Sequence, residues 1–385
     1  MATGAGIRPG ERAVVGTVSR RPLRRSAGTS AAATSSLIGR APLALAPETV
    51  AAADEASHAL ARFDAEAGAL AAPFPAILLQ REAAASSELA NITAGAREVA
   101  LVKIGSAGSG NARLIVANAR ALQVAGTLDR DLDEHAVLDM NAVLLRETSA
   151  GSVDRWWRDP IGARGRPSSL PAAGFIPPQP ELLDDLFTFI QRTNVPLLAR
   201  AAIAHAQFTT IRPFPDGNGR IGRVLLHVLL RRGGLTRNLT APISAGLLSH
   251  PSAYVDALTA YRGGDPDAIV NAITHASLRG IDNARHLVTD IGDIRDGWNS
   301  SVRARSDSAV HRLLDLLPTH PVITVTAAAA LIGTSDVAAG AAINRLAAAG
   351  ILTQTGGGIR YRIWRAPEVL DALDAFTTRA LRSRA

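Results

Sequence analysis

The sequence predicts a mostly α-helical protein, on three observations. Apolar residues recur at helical spacing through most of the chain after Pro47. No alternation of strand and helix interrupts the central block. The last part of the chain then changes to short helices followed by a hairpin with a Gly356-Gly357-Gly358 turn.

Residues 1–44 are rich in Gly, Ala, Ser, Thr and Arg without a period, and read as a partly flexible leader with one short strand at Ala13–Val18. From Thr49 to Leu70 the spacing of Val50, Ala53, Leu60, Phe63 and Ala67 predicts a helix, with Pro47 just before it. A second helix is predicted over Ala76–Ile92, and others over Gly110–Leu122, Asp133–Arg146 and Glu181–Asn194. Between the last two, Gly151–Pro180 holds six Pro and four Gly, the composition of a long ordered loop, which in a compact domain is usually functional. Helices follow at Pro196–Phe208, Asn218–Arg232, Ala253–Tyr261, Ala268–Asn283 and Leu287–Arg303. The tail predicts a helix at Ser308–Leu317, an extended His320–Val325, helices at Ala327–Ile332 and Asp336–Gly350, and strands at Ile351–Thr355 and Ile359–Trp364. Helix, turn, helix and a two-stranded wing is the winged-helix order.

Composition narrows the function. With 385 residues, two or three domains are expected. The chain has no Cys, which excludes disulfides, thiolate catalysis and Cys-based metal centres. Its net charge of +7 favours phosphate-bearing partners, as a weak signal. No apolar run reaches the ~20 residues of a membrane span, and the Arg-bearing N-terminus lacks an apolar core of roughly 7–15 residues, so no membrane partner and a cytoplasmic location are expected.

The chemistry concentrates in Phe208-Thr-Thr-Ile-Arg212-Pro-Phe-Pro-Asp216-Gly-Asn-Gly-Arg220-Ile-Gly-Arg223. An apolar helix ends, a Pro/Gly loop follows, and a second helix begins near Asn218. Gly217 and Gly219 let backbone N–H groups approach a ligand, and the helix start adds unpaired donors and partial positive charge, which suits phosphate. Arg220 and Arg223, three apart, share a helix face and can clamp phosphates, and Asp216 offers an oxygen ligand for Mg²⁺. Taken singly, each part has an ordinary structural reading. So many specified residue types in so short a run seldom co-occur without function.

The run resembles the signature of the Fic (filamentation induced by cAMP) proteins, His-Pro-Phe-x-Asp/Glu-Gly-Asn-Gly-Arg-x-x-Arg. It matches from Pro213 to Arg223 and departs at Arg212, which stands in place of His. The resemblance extends over 45–95 (the family's N-terminal segment), 96–304 (the Fic core) and 305–385 (a winged helix), and includes Ala241-Pro-Ile-Ser244 and Tyr254. It implies transfer of AMP from ATP to a hydroxyl side chain of a target protein. In that pattern Asp216 holds Mg²⁺, Gly217, Asn218 and Gly219 cradle the α- and β-phosphates, and Arg220 and Arg223 hold the distal ones. A flap hairpin around Pro171–Pro178 aligns the target's extended backbone.

Two departures bear on activity. The family's His takes the proton of the attacking hydroxyl, which a guanidinium protonated to about pH 12 and beyond does not do, so the chain is expected to bind ATP–Mg²⁺ but to turn over poorly. The resemblance also implies an inhibitory helix, Ser/Thr-x-x-x-Glu-Gly/Asn, whose Glu pairs with the last motif Arg. Here the register is Ser86-Ser-Glu-Leu-Ala90-Asn91, with Ala90 at the Glu position, so the brake is expected to be released and Arg223 left free. His205 and His227 read as packing histidines. A second reading is a DNA-binding regulator whose Fic core binds nucleotide without catalysis, with Asn344, Arg345, Arg360, Arg362 and Arg365 for phosphate contact, although Asp336–Ala349 is mostly Ala and offers few base-reading side chains. A homo-oligomer is a further possible partner arrangement.

Overall fold

The computed structural model describes residues 19–22, 31–34, 36–69, 73–106, 108–127, 132–146, 180–214, 216–302, 305, 308–355 and 362–382. In chain order the elements are β1 (Ser19–Pro22), β2 (Ala31–Thr34), α1 (Pro47–Ala69), α2 (Phe74–Glu88), α3 (Ala96–Lys103), α4 (Gly110–Gly126), α5 (Glu134–Leu145), α6 (Pro180–Ile190), α7 (Leu197–Ile211), α8 (Asn218–Arg232), α9 (Ile243–Leu248), α10 (Pro251–Arg262) and α11 (Pro266–Ser301). Then come α12 (Ala309–Leu316), β3 (Val322–Ile323), α13 (Val325–Ile332), α14 (Asp336–Ala348), β4 (Thr353–Gln354), β5 (Trp364–Arg365) and α15 (Pro367–Arg382). The expected mostly α fold is the observed one. The strand at Ala13–Val18, the flap at Pro171–Pro178, the Gly356–Gly358 turn and Arg360 lie outside the described residues.

Local chemistry sets the helix starts. Side-chain oxygens of Ser109, Asp133, Asp265, Ser308, Thr324 and Ser335 accept first-turn N–H groups of α4, α5, α11, α12, α13 and α14, so each start is written in the sequence as a capping residue. The centre of the protein is α7, where Leu198, Ala202, Ile203, Ala206 and Phe208 are fully buried. Around it pack α8, α6, α11 and α1. Small residues bring neighbours close: a Cβ at Gly246 of α9 would lie 1.9 Å from the Ala276 carbonyl oxygen of α11, so only glycine permits that crossing.

Three differences from the sequence reading have physical causes. The two helices expected at Ala268–Asn283 and Leu287–Arg303 are one, α11, 36 residues long. Nothing in Ala284-Arg285-His286 breaks a helix, and Ala284 is buried in its continuous stripe. Helices α3, α9 and α15 were not foreseen, the first two because they are short. The leader expected over 1–44 includes a packed part: β1 pairs antiparallel with β2, Ile38 is buried, the Ile38 and Gly39 N–H groups donate to Asp185 of α6, and Gln207 Nε2 donates to the Ser36 carbonyl at 2.8 Å.

In the C-terminal part, β5 lies between β3 and β4 in an antiparallel sheet, with Trp364 opposite both Ile323 and Gln354. Helices α13 and α14 meet at a 107° bend over Gly333-Thr334-Ser335. The last helix, α15, returns to α11: Asn283 Nδ2 donates to the Phe376 carbonyl at 3.0 Å, Arg379 Nε to Asn283 Oδ1 at 2.8 Å, and Trp298 Nε1 to Glu368 at 2.5 Å. Among the described residues no single helix is long and apolar enough to cross a membrane.

Candidate nucleotide site

The loop joining α7 to α8 is closed on itself. Asn218 accepts the Phe214 N–H at Oδ1 (2.9 Å) and donates from Nδ2 to the Phe214 carbonyl (2.6 Å), so its side chain staples the loop and its contribution to a ligand is its backbone. Phe214 is buried and meets Phe208 with ring centroids 6.2 Å apart, which anchors the loop to α7. Gly217 has φ +81°, and a Cβ there would lie 2.8 Å from Leu144 Cδ2, so its glycine is required twice over. Its carbonyl accepts the Ile221 N–H and starts α8. Gly219 follows on the first turn of α8, where a Cβ would come within 3.3 Å of Arg223 Nη1.

Asp216 is exposed; its Oδ1 accepts the Gly217 N–H at 2.7 Å and its Oδ2 lies 3.3 Å from Arg220 Nη2. Arg220 is 2% exposed, and its Nε and Nη1 have no hydrogen-bond partner among the described residues. Burial lowers its pKa, opposed by Asp216 and reinforced by Arg223. The Asp216 contact leaves two buried guanidinium nitrogens unpaired beside a helix start, an arrangement suited to a further anion.

Arg223 is not free. Its Nε donates to Ser86 Oγ (2.8 Å), its Nη2 to the Ser86 carbonyl (2.6 Å), and its Nη1 to Tyr254 Oη (3.5 Å). The α2 helix ends at Glu88, so Ala90 is exposed in the turn beyond it, and Asn91 takes φ +59°, the left-handed residue that closes many helix ends. Of the three positions, only Ser86 touches the arginine.

Arg212 ends α7 in the left-handed region (φ 53°, ψ 60°), its N–H donating to the Phe208 carbonyl at 3.0 Å. It is half-buried, and burial lowers its pKa while Asp216 opposes. Burial, and after it the charge of Arg212, lowers the pKa of Arg262 at the end of α10, a neighbour that sequence reading missed. His205 is buried against Tyr254 (Nε2 to Oη, 2.7 Å), and burial, then Arg223, pushes it down to about 3. His227 Nε2 lies 2.8 Å from Glu82 Oε1, and Glu82 also accepts the Ser244 N–H at 2.8 Å and the Ser244 hydroxyl. Both histidines are packing residues. Glu82, also missed, joins α2 to α8 and α9; a buried carboxylate on an amphipathic helix leaves no local signal.

The architecture and this loop define a class: a helical protein with a glycine loop between two core helices, closed by Asn218 and followed by buried arginines. Residues 131–230 match the Fic/DOC family, and the chain carries a Fic/DOC domain. It is 36% identical over 81 residues to the probable protein adenylyltransferase aq_aa38 of Aquifex aeolicus, covering 20% of this chain and 25% of that protein. It is 30% identical over 132 residues to protein adenylyltransferase Fic of Aedes aegypti, covering 32% of this chain and 25% of that one. The matches thus span about a quarter of these relatives. A solved Fic family protein from Desulfovibrio desulfuricans G20 shares the fold, with a TM-score of 0.53 at 20% identity over 84% of this chain and 97% of that one.

Proposed function

We propose that the chain is a Fic-type nucleotide-binding protein built for AMP transfer from ATP to a hydroxyl of a target protein, and that its chemistry is impaired at Arg212. The observation that carries the reading is Arg220: buried, with two guanidinium nitrogens unpaired, in the first turn of the helix that follows the glycine loop in a Fic/DOC domain. The residues fit the nucleotide. Asn218 and Gly219 present backbone N–H groups to the α- and β-phosphates, Gly217, whose own N–H is held by Asp216, permits the close approach, Arg220 meets a distal phosphate, and Arg223 takes another once it leaves Ser86. Exposed Asp216 suits Mg²⁺, which is commonly held by one or two carboxylates plus phosphates rather than by a protein cage. Bound there, Mg²⁺ would neutralise phosphate charge.

The hydroxyl's proton is the unmet need. Arg212 holds its own proton at working pH and accepts none, so the residue at the base position binds anions instead. The contact of Arg223 with Ser86 is a pair of neutral-acceptor hydrogen bonds, which a phosphate oxygen outcompetes more readily than it would a carboxylate. In this reading the absence of a carboxylate at Ala90 weakens the brake without abolishing it. Calorimetry with ATP and Mg²⁺ tests the core of the proposal: a binding isotherm that Arg220→Ala weakens tenfold or more supports it, and no heat at millimolar ATP overturns it.

A second reading, DNA binding through the C-terminal helices and sheet, rests on the order α12–β3–α13–α14–β4–β5, the winged-helix order, with Asn344 and Arg345 on the exposed side of α14. A gel shift on duplex DNA that falls steeply with salt is its test.

A further inference from the structure

Between α2, α4, α9 and α15 lies a cavity of about 240 Å³ that the nucleotide reading does not use. Its wall is mostly apolar, with Ile92, Ile115, Leu248 and Phe376, and one strongly buried cation opens onto it. Arg81 of α2 is 4% exposed, and its Nε has no hydrogen-bond partner among the described residues. Burial lowers Arg81 to about 10, with Asp374 opposing. Asp374 does not discharge it fully: its side chain is exposed, and its Oδ1 accepts the Ala96 N–H at 3.4 Å. Glu88, the other carboxylate in the lining, is half-exposed. Both acids are therefore screened by water, whereas the guanidinium is not. A buried cation with an unmet donor, facing an apolar chamber, is costly unless an anion completes it.

We propose that this cavity binds a small aliphatic carboxylate, its head on the Arg81 guanidinium and its carbon chain against Ile115, Leu248 and Phe376. A carboxylate matches the planar fork of guanidinium, and the apolar wall rewards a hydrocarbon body that inorganic phosphate lacks. The volume limits the body to a few carbons. The site lies on the same helix as Ser86, five residues before it, and is separate from the glycine loop.

The test is calorimetry on the full chain with acetate, butyrate, hexanoate, neutral butanol and inorganic phosphate. Saturable binding is expected, with affinity rising about fourfold per methylene from acetate to butyrate and falling once the chain outgrows the cavity. Butanol and phosphate should each bind at least tenfold more weakly than butyrate. Arg81→Met should erase the preference of butyrate over butanol, and Ala85→Leu, which fills the cavity with Arg81 intact, should abolish binding. Should Arg81→Met fail to fold, Ala85→Leu decides. Absence of saturable butyrate binding, affinity independent of chain length, or unchanged binding in Ala85→Leu overturns the proposal.

Discussion

Arg223 of α8 is gripped twice by Ser86 of α2, 137 positions earlier, through its hydroxyl (2.8 Å) and its carbonyl (2.6 Å). The grip ties the helix that precedes the turn at Ala90 to the helix that begins at the glycine loop. It also means that the outermost motif arginine has a resting partner within the chain.

Replacing Ser86 by Ala removes one of those two bonds and leaves a buried guanidinium N–H unpaired. Because a bound phosphate would satisfy that N–H, the unliganded state loses more than the liganded one. ATP affinity should rise by about three- to tenfold while the midpoint of urea unfolding falls, by about 1–2 kcal/mol in stability. Calorimetry and denaturation on the same preparation check both signs. Unchanged ATP affinity would show that Arg223 stays on Ser86 when nucleotide binds.

Arg212→His places a group that titrates near neutrality at the end of α7. General-base catalysis is typically worth ~10²–10⁴-fold, so AMP transfer to the cognate target should become visible over a near-zero background. Adding Ala90→Glu to this revertant tests the brake, because a carboxylate that reaches Arg223 competes with phosphate for it. The double variant should be slower at saturating ATP. Equal rates would mean that Ser86 alone restrains the arginine.

Much of this was readable from residues in sequence, and the boundary is instructive. The capping oxygens of Ser109, Asp133, Asp265, Ser308, Thr324 and Ser335, the uninterrupted apolar run of α7, and the Arg212–Arg223 loop are local features, so the sequence displays them directly. The Ser86–Arg223 grip and the Glu82–His227–Ser244 cluster join residues more than a hundred positions apart, and no spacing rule relates them. Asn218 shows a subtler limit: its motif position suggests ligand contact, whereas its amide is spent on the Phe214 backbone.

Acid should destabilise the protein over a defined window. His205 sits at about 3 and His320 at about 4, burial being the main cause in both, followed by Arg223 and by Lys103 respectively. Both lie below the ordinary value of ~6.5, so the unfolded chain takes up protons first. Their contribution is fully present above pH ~6.5 and is lost progressively as pH falls towards 4 for His320 and 3 for His205. The slope is at most ~1.4 kcal/mol per pH unit for each, and less for half-buried His320. Urea midpoints at pH 7, 5.5 and 4.5 should fall in that order, and His320→Asn should flatten the trend.

Glu82 carries a large share of local stability. It is fully buried, and two donors converge on it, the Ser244 N–H and the Ser244 hydroxyl, with His227 Nε2 2.8 Å from its Oε1. Glu82→Ala leaves them unpaired and should cost about 3–5 kcal/mol in chemical denaturation. Glu82→Gln, which keeps one acceptor and the shape, should cost less than half of that.

The return of α15 onto α11 changes what a truncation would mean. At 1.5 Å per residue α11 is a rod of ~54 Å, and part of it gains its cover from α15, through contacts 93 and 96 residues apart in sequence. A chain cut after residue 304, at the seam its sequence advertises, would shed that cover and bare the apolar stripe that Leu370, Leu373 and Phe376 now shield. The helix α15 is the clasp of the molecule: it finishes the wall of a rod laid down far earlier in the chain.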